Sequence, residues 1–221
     1  MPSLVPTWTE LLPLLREAAD AGRFHHHLSM NANKLAWMRS DPAAAGIVSR
    51  AHTRAADGVM AQVEAARAGA PWPERIPGVE LAGRLLEEAA VRRWRVALVG
   101  ARATVVGEVG RLWADRGVSI VHLEDGYDPD DDAVIARIRA ARPQLVLAAL
   151  GSPRAEAFLD RARFDALCLG VGGSFDVWAG AVPRAPAWSR AVGLEGVVRV
   201  ARQPRTRLSP FVRSLTRLVR R

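Results

Sequence analysis

The chain has 221 residues, 49% of them hydrophobic, one cysteine and a formal net charge of +8. That is enough to bury a full core without disulfides. No apolar run reaches the roughly 20 residues needed to span a bilayer, and the N-terminus lacks a signal-peptide layout, so a reduced cytosolic setting is expected. The positive charge calls for an anionic partner and does not by itself separate nucleic acid, a phosphorylated metabolite and anionic lipid.

Along the chain, Thr7 and Glu10 form a capping-box pattern ahead of a leucine-rich helix running toward Ala21. Phe24 to Leu28 reads as a strand, and Asn31 or Asn33 as the cap of a helix to about Ser40. His25, His26 and His27 alternate faces in such a strand and cannot all ligate one ion, which disfavours a metal site. Asp57-Gly58 opens a helix to about Ala68, with Asp57 an expected N-cap, and Gly69-Ala-Pro-Trp-Pro73 ends it.

From Arg95 the rhythm becomes strand and helix in alternation. Strands are expected at 96–99, 118–123, 145–150 and 166–171, with helices from Gly100 to Arg116, 129–141 and 153–163. This pattern predicts a mainly parallel sheet in a Rossmann-like three-layer α/β/α core, behind a helical N-terminal part. Gly100 to Gly107 lacks the dinucleotide-fingerprint spacing and the P-loop lysine, so standard NAD and ATP sites are disfavoured.

Three segments follow strand ends, where open α/β sheets bind ligands. Asp125-Gly126-Tyr127 reads either as a turn or as a place where Tyr127, the one tyrosine, stacks on a base. In Gly151-Ser152-Pro153, serine and proline are expected as N-cap and first helical residue, Glu156 suits the first-turn dipole, and the helix start can hold a diphosphate. In Gly172-Gly173-Ser-Phe175-Asp176, followed by Arg184-Ala-Pro186, bare backbone with one aspartate and one arginine points to a pocket rather than a tight turn alone.

The last segment begins at Ser209-Pro210 and carries an apolar stripe from Leu208 to Val219 among Arg213, Arg217, Arg220 and Arg221. It suits a helix packed on the domain and an interfacial helix on an anionic membrane equally well. The expected organisation is one α/β domain over 1–200 and a basic amphipathic appendage over 201–221.

The ordered motifs resemble the WecG/TagA/CpsF family of bacterial glycosyltransferases over nearly the whole chain. The resemblance is carried by Ser29-Met-Asn-Ala-Asn-Lys-Leu35, Ala56-Asp57-Gly58, Glu74-Arg-Ile-Pro-Gly-Val-Glu-Leu81, Asp125-Gly-Tyr-Asp128 and Gly151-Ser-Pro-Arg-Ala-Glu156. Gly170-Val-Gly-Gly-Ser-Phe-Asp176, Arg184-Ala-Pro186 and Gly193-Leu-Glu195 complete it.

The resemblance implies inverting transfer of a sugar, typically N-acetylmannosamine or its uronic acid, from a UDP donor to a polyprenyl-diphosphate-linked acceptor. No cofactor or metal is implied, and the setting is peripheral, at the cytoplasmic face of the membrane. Asp57 matches the family's base, with Ser29 to orient it and Asn31 to bind sugar hydroxyls. The donor-site residues it implies are Arg75, Gly126, Tyr127, Gly151, Ser152, Pro153, Glu156, Gly172, Gly173, Phe175, Asp176 and Arg184. Arg205, Arg207, Arg213 and Arg217 are implied for membrane docking and diphosphate binding, which favours the membrane reading of the tail. The apolar helices before Gly69 offer a self-association surface.

The sequence departs from the family pattern at Asp128, Ala155 and Gly196, where the family has phenylalanine, glutamine and tryptophan. Loss of the glutamine is expected to remove a polar pocket contact. A catalytically silent nucleotide-sugar- or lipid-binding member is the alternative reading. Nucleic-acid binding is disfavoured, because the tryptophans are scattered among helices rather than interleaved with the basic run.

Overall fold

The computed structural model describes residues 4–182. The Thr7 cap forms as expected: its hydroxyl accepts from the Glu10 N–H at 3.2 Å and donates to the Glu10 carboxylate at 3.1 Å, starting α1 (Trp8–Asp20). β1 (His25–Met30) follows, and then α2 (Ala32–Ser40), capped by Asn31, whose Oδ1 accepts from the Lys34 N–H at 3.2 Å. The first half continues with α3 (Pro42–Arg50), β2 (Thr53–Ala56), α4 (Val59–Arg67) and α5 (Gly78–Arg92).

The second half alternates as the sequence predicts. It runs through β3 (Arg95–Gly100), α6 (Ala103–Ala114), β4 (Ser119–Glu124), α7 (Asp131–Ala140), β5 (Leu145–Ala149), α8 (Arg154–Ala162) and β6 (Leu167–Gly170), to a short α9 (Ser174–Trp178). The six strands form one parallel sheet in the order β2-β1-β6-β5-β3-β4, the core of a Rossmann-like α/β/α fold.

Alternating side chains divide the core between the two faces of the sheet. Val96, Leu98, Leu147 and Leu169 face α1, α5, α6 and α9 through Leu11, Leu85, Val109 and Phe175. Ala97, Val99, Val146 and Cys168 face α7 and α8 through Ile138, Phe158 and Leu159. Toward β1 and β2, Leu28, Met30 and Ala56 pack on Leu35, Val48 and Ala61 of α2, α3 and α4. Burying a leucine such as Leu85 fully contributes about 1.5–3 kcal/mol.

The structure adds α3, β2, α5 and α9 to the elements expected from the sequence. β2 reads Thr-Arg-Ala-Ala, with neither an apolar alternation nor a branched-aliphatic run to mark it, and it is held by its pairing with β1. β1 begins one residue later than expected and runs two further, which draws Ser29 into the strand and leaves Asn31 at its carboxyl end.

Candidate active site

Because all six strands are parallel, their carboxyl ends share one edge of the sheet. Asn31 follows β1, Asp57 follows β2, Ala101 follows β3, Asp125–Tyr127 follows β4, Gly151–Pro153 follows β5 and Val171–Gly173 follows β6.

At the β1–β2 end, the Asp57 N–H donates to the Met30 carbonyl at 2.8 Å, which sets the backbone of the half-buried aspartate. Its Oδ1 accepts from the Gly78 N–H at 3.0 Å and its Oδ2 from the Asn31 amide at 3.4 Å. The expected N-cap role is therefore corrected. Gly58 is the N-cap residue of α4, without a side-chain bond, and the Asp57 carboxylate turns instead toward β1 and the start of α5. Its orienting partners are Asn31 and Gly78.

Ser29 is buried beside them: a Cβ on Gly78 would lie 3.1 Å from Ser29 Oγ and 3.9 Å from Asp57 Oδ2. Gly78 thus belongs to the site, although its only signal in the sequence is its place in the Glu74–Leu81 motif. Arg75 lies alongside the end of β2 in a parallel bridge to Ala56, closed by the Ile76 N–H donating to the Ala56 carbonyl at 2.6 Å. Its neighbour Glu74 anchors the start of α1 by accepting from the Trp8 N–H at 2.9 Å.

At the β4–β5 end, the Gly126 N–H donates to the Ala101 carbonyl at 2.8 Å. A Cβ on Gly126 would meet Ala101 N at 3.2 Å and Leu150 Cδ2 at 3.3 Å, so this loop leans back over β3 toward β5. Arg154 fastens it by donating to the Gly126 carbonyl at 2.6 Å and to Asp131 at 3.3 Å. Tyr127 is 72% exposed at the tip. Asp128, at the first of the departures, has its carboxyl held below the ordinary aspartate range by the Asp130 N–H and by Arg137, which also binds Glu124.

Gly151 takes a left-handed φ of +76°, and its carbonyl accepts from the Ala155 N–H at 2.8 Å. The expected capping by Ser152 is thereby corrected: Pro153 is the N-cap residue, α8 begins at Arg154, and a backbone acceptor takes the place of the serine hydroxyl.

Between these ends, β6 delivers Gly172 with φ +53°, a conformation that disfavours a side chain, while Gly173 sits at an ordinary −85°. Phe175 is fully buried and stacks on Trp178, so its ring fills the core. Asp176, in the first turn of α9, is half-buried. Ala155 is also buried, among α7 and α8 apolar groups, and does not line an open pocket. Glu156 is 1% exposed and lies 3.1 Å from the ammonium of Lys34, itself 5% exposed. Burial alone would raise the Glu156 pKa, but the Lys34 charge and hydrogen bond, with hydrogen bonds from its own backbone N–H and Ser152, outweigh it and hold the carboxyl below its ordinary value.

The histidines occupy the other end of β1. His25 Nε2 and His27 Nδ1 each lie 3.0 Å from the Thr53 hydroxyl, while His26 points to the opposite face beside the Lys34–Glu156 pair. Burial lowers His25 and His26 to about 4 and His27 to about 3, so all three are neutral near pH 7. Among the described residues no group of three His, Cys, Asp or Glu side chains is arranged to hold a metal ion.

The structure thus gathers Asp57, Asn31, Ser29, Gly78 and Arg75 at one end of the rim, and Gly126, Tyr127, Gly151, Ser152 and Pro153 at the other. Asp57 and Tyr127 follow opposite edge strands, five spacings or about 24 Å apart at about 4.8 Å each. Arg184, Arg205, Arg207, Arg213, Arg217, Gly196 and the C-terminal helix lie outside the described residues. Compared with models of known protein families, residues 3–221 match the one described as the glycosyl transferase WecG/TagA/CpsF family.

Proposed function

This chain belongs to the WecG/TagA/CpsF family of glycosyltransferases, and on that premise we propose that it moves a sugar from a UDP donor to a polyprenyl-diphosphate-linked acceptor with inversion at the anomeric carbon. The observation that carries this reading is the Asp57 carboxylate, half-buried on the rim and aimed by the Gly78 N–H and the Asn31 amide. A general base must be held within hydrogen-bond reach of the hydroxyl it deprotonates, and such an anchored carboxylate meets that need.

The acceptor hydroxyl oxygen forms the new bond to the anomeric carbon as its proton passes to Asp57. The bond from that carbon to the UDP diphosphate breaks, and the electron pair leaves with UDP. The developing charge calls for cations at the departing diphosphate. Arg75 is the described candidate, with Arg184, Arg205, Arg207, Arg213 and Arg217 supplying others. Arginine suits this role because its planar fork binds phosphate oxygens in pairs.

The left-handed Gly151 and Gly172 bring bare backbone to the rim for the diphosphate, and exposed Tyr127 supplies a face for the uracil. Ser152 and Pro153 shape that turn, Gly126 lets the Tyr127 loop lie close against Ala101 and Leu150, Gly173 adds bare backbone, and Asp176 faces the sugar. No helix of the described residues is long and apolar enough to cross a membrane. A lipid-linked acceptor would be reached, as the family resemblance implies, by peripheral docking at the inner membrane face through the basic tail.

Thermal-shift titration with UDP, UDP-N-acetylmannosamine, UDP-N-acetylglucosamine, UDP-glucose, UDP-glucuronate and NAD tests the donor class, since a ligand that binds only the native state raises its melting temperature. Stabilisation by UDP and one UDP-sugar is expected. A folded protein that answers to none of the UDP species overturns the reading. Binding of UDP without transfer to any lipid acceptor favours a catalytically silent member.

A further inference from the structure

Lys34 is the single lysine in a chain whose other basic side chains of the Lys/Arg class are all arginine, and it is buried. Its one carboxylate partner, Glu156, is buried too. Desolvating two charges is costly, and well-packed apolar residues in their place are often as stable or more so. Stability alone is thus a weak reason for this pair. Its location supplies another.

Asn31 holds Asp57 Oδ2 with its amide and accepts the Lys34 N–H on its Oδ1, so the base is tied to the first turn of α2. From that turn the Lys34 side chain crosses to Glu156 in the first turn of α8, directly after the Gly151–Pro153 turn. Glu156 in turn lies against the end of β6, where a Cβ on Gly170 would come within 3.0 Å of its Oε1. A line of contacts therefore runs from Asp57 to the Gly151–Pro153 turn and to the end of β6, and among the described residues the Lys34–Glu156 contact is its ion pair between α2 and α8.

We infer that Lys34 and Glu156 are a positioning pair that sets the distance between the base and the loops for the leaving diphosphate. This rests on the reading of Asp57 as base and of the loops as the UDP site. The choice of residues suits the role. A single contact between a compact ammonium and a carboxylate fixes one separation, and the glycine at 170 lets the carboxylate approach the strand end. The buried Glu156 acts through Lys34 and the loop backbone rather than by touching the donor. Besides Lys34, the Ser152 side chain and the Glu156 N–H hydrogen-bond this carboxylate, which ties it directly to the Gly151–Pro153 turn.

The test is the full-length double variant Lys34→Met/Glu156→Leu, which removes both charges together and leaves neither unpaired. Hydrogen exchange is followed over residues 31–35, 151–155 and 170–174 with and without saturating UDP, alongside UDP affinity, melting temperature and turnover of the UDP-sugar found to bind. The expected result is a melting temperature close to that of the parent, UDP affinity within about threefold, and turnover lower by at least about tenfold, as misplacement of reacting groups produces. UDP protects residues 31–35 in the parent, and in the variant that protection is lost while it persists at 151–155.

Undiminished turnover, or undiminished protection of 31–35 in the variant, overturns the inference. So do turnover and UDP affinity falling together. If UDP protects no segment of the parent, the functional reading fails instead. The pair is then judged without ligand: faster exchange at both 31–35 and 170–174 in the variant supports the strut, and unchanged exchange at either overturns it. Should the double variant not fold, Lys34→Met/Glu156→Gln, which also removes both charges and keeps the volume at 156, is read by the same criteria.

Discussion

The two ends of the rim hold their side chains by different physics. Around Asp57 the partners are a backbone N–H, one amide and a crowded glycine, all on strand ends or first helical turns, and the carboxylate has little freedom. Around Tyr127 the loop is fastened from outside by Arg154 and Arg137, whose guanidiniums are largely open to water, and the ring itself is exposed. On the proposed reading, the proton acceptor sits where the fold leaves no slack, and recognition of a flat base is left to a loop that ion pairs can steer without freezing.

That contrast breaks most sharply at Asp57. Asp57→Ala is expected to lower transfer at least about 100-fold while the far-ultraviolet circular dichroism and UDP affinity stay near parental values, since only the proton acceptor is lost. Equal turnover of variant and parent would move the base elsewhere.

The next effect concerns the amino end of β1, where burial keeps the histidines neutral. With folded pKa values near 3–4 against 6.5 in the open chain, the unfolded state gains protons that the native state refuses as the pH drops below about 6.5. Stability is complete above that value and falls until the folded values are passed. For His26 the loss is on the order of 3 kcal/mol, at about 1.4 kcal/mol for each tenfold difference in proton affinity between the two states. The lowered pKa of Glu156 adds to the loss in the same direction. Denaturant titrations at pH 7.5, 5.5 and 4.5 measure the slope, and His26→Leu should flatten it, because both ring nitrogens are buried without partners among the described residues.

Gly78→Ala sharpens the comparison at smaller scale. The new methyl must displace Ser29 by a few tenths of an ångström beside the base, and turnover is expected to fall about tenfold with affinity for UDP retained. Opposite behaviour is expected at the other end. Arg154→Ala frees the Gly126 carbonyl and should weaken UDP binding about fivefold with turnover at saturation little changed, the cost of one charge-assisted hydrogen bond. Arg137→Ala, which removes an exposed pairing to Glu124 and Asp128, should leave the melting temperature unchanged within error. A large effect there would mean that the Tyr127 loop is held as rigidly as the base.

Local chemistry made several features readable in the residues themselves. The Thr7 cap and the alternation from β3 to β6 are interactions within a few residues, or follow from the period of one strand or helix, so the sequence alone determined them, while it narrowed the cap of α2 to Asn31 or Asn33. The motif order likewise determined the family. Other features depended on partners distant in the chain. Asp57 looked like an N-cap because nothing nearby reveals that Gly78, 21 residues on, donates to its carboxylate. Ser152 looked like a cap until the Gly151 turn offered a backbone carbonyl instead. Glu156 read as a first-turn dipole partner and, like Phe175, as a donor-site residue, yet their burial follows from how α8 and α9 dock on the sheet. Strand order has the same origin. Placing β6 between β1 and β5 is a choice among long loop closures that no local propensity encodes, and that choice sets Asp57 near one glycine loop and five strand spacings from Tyr127.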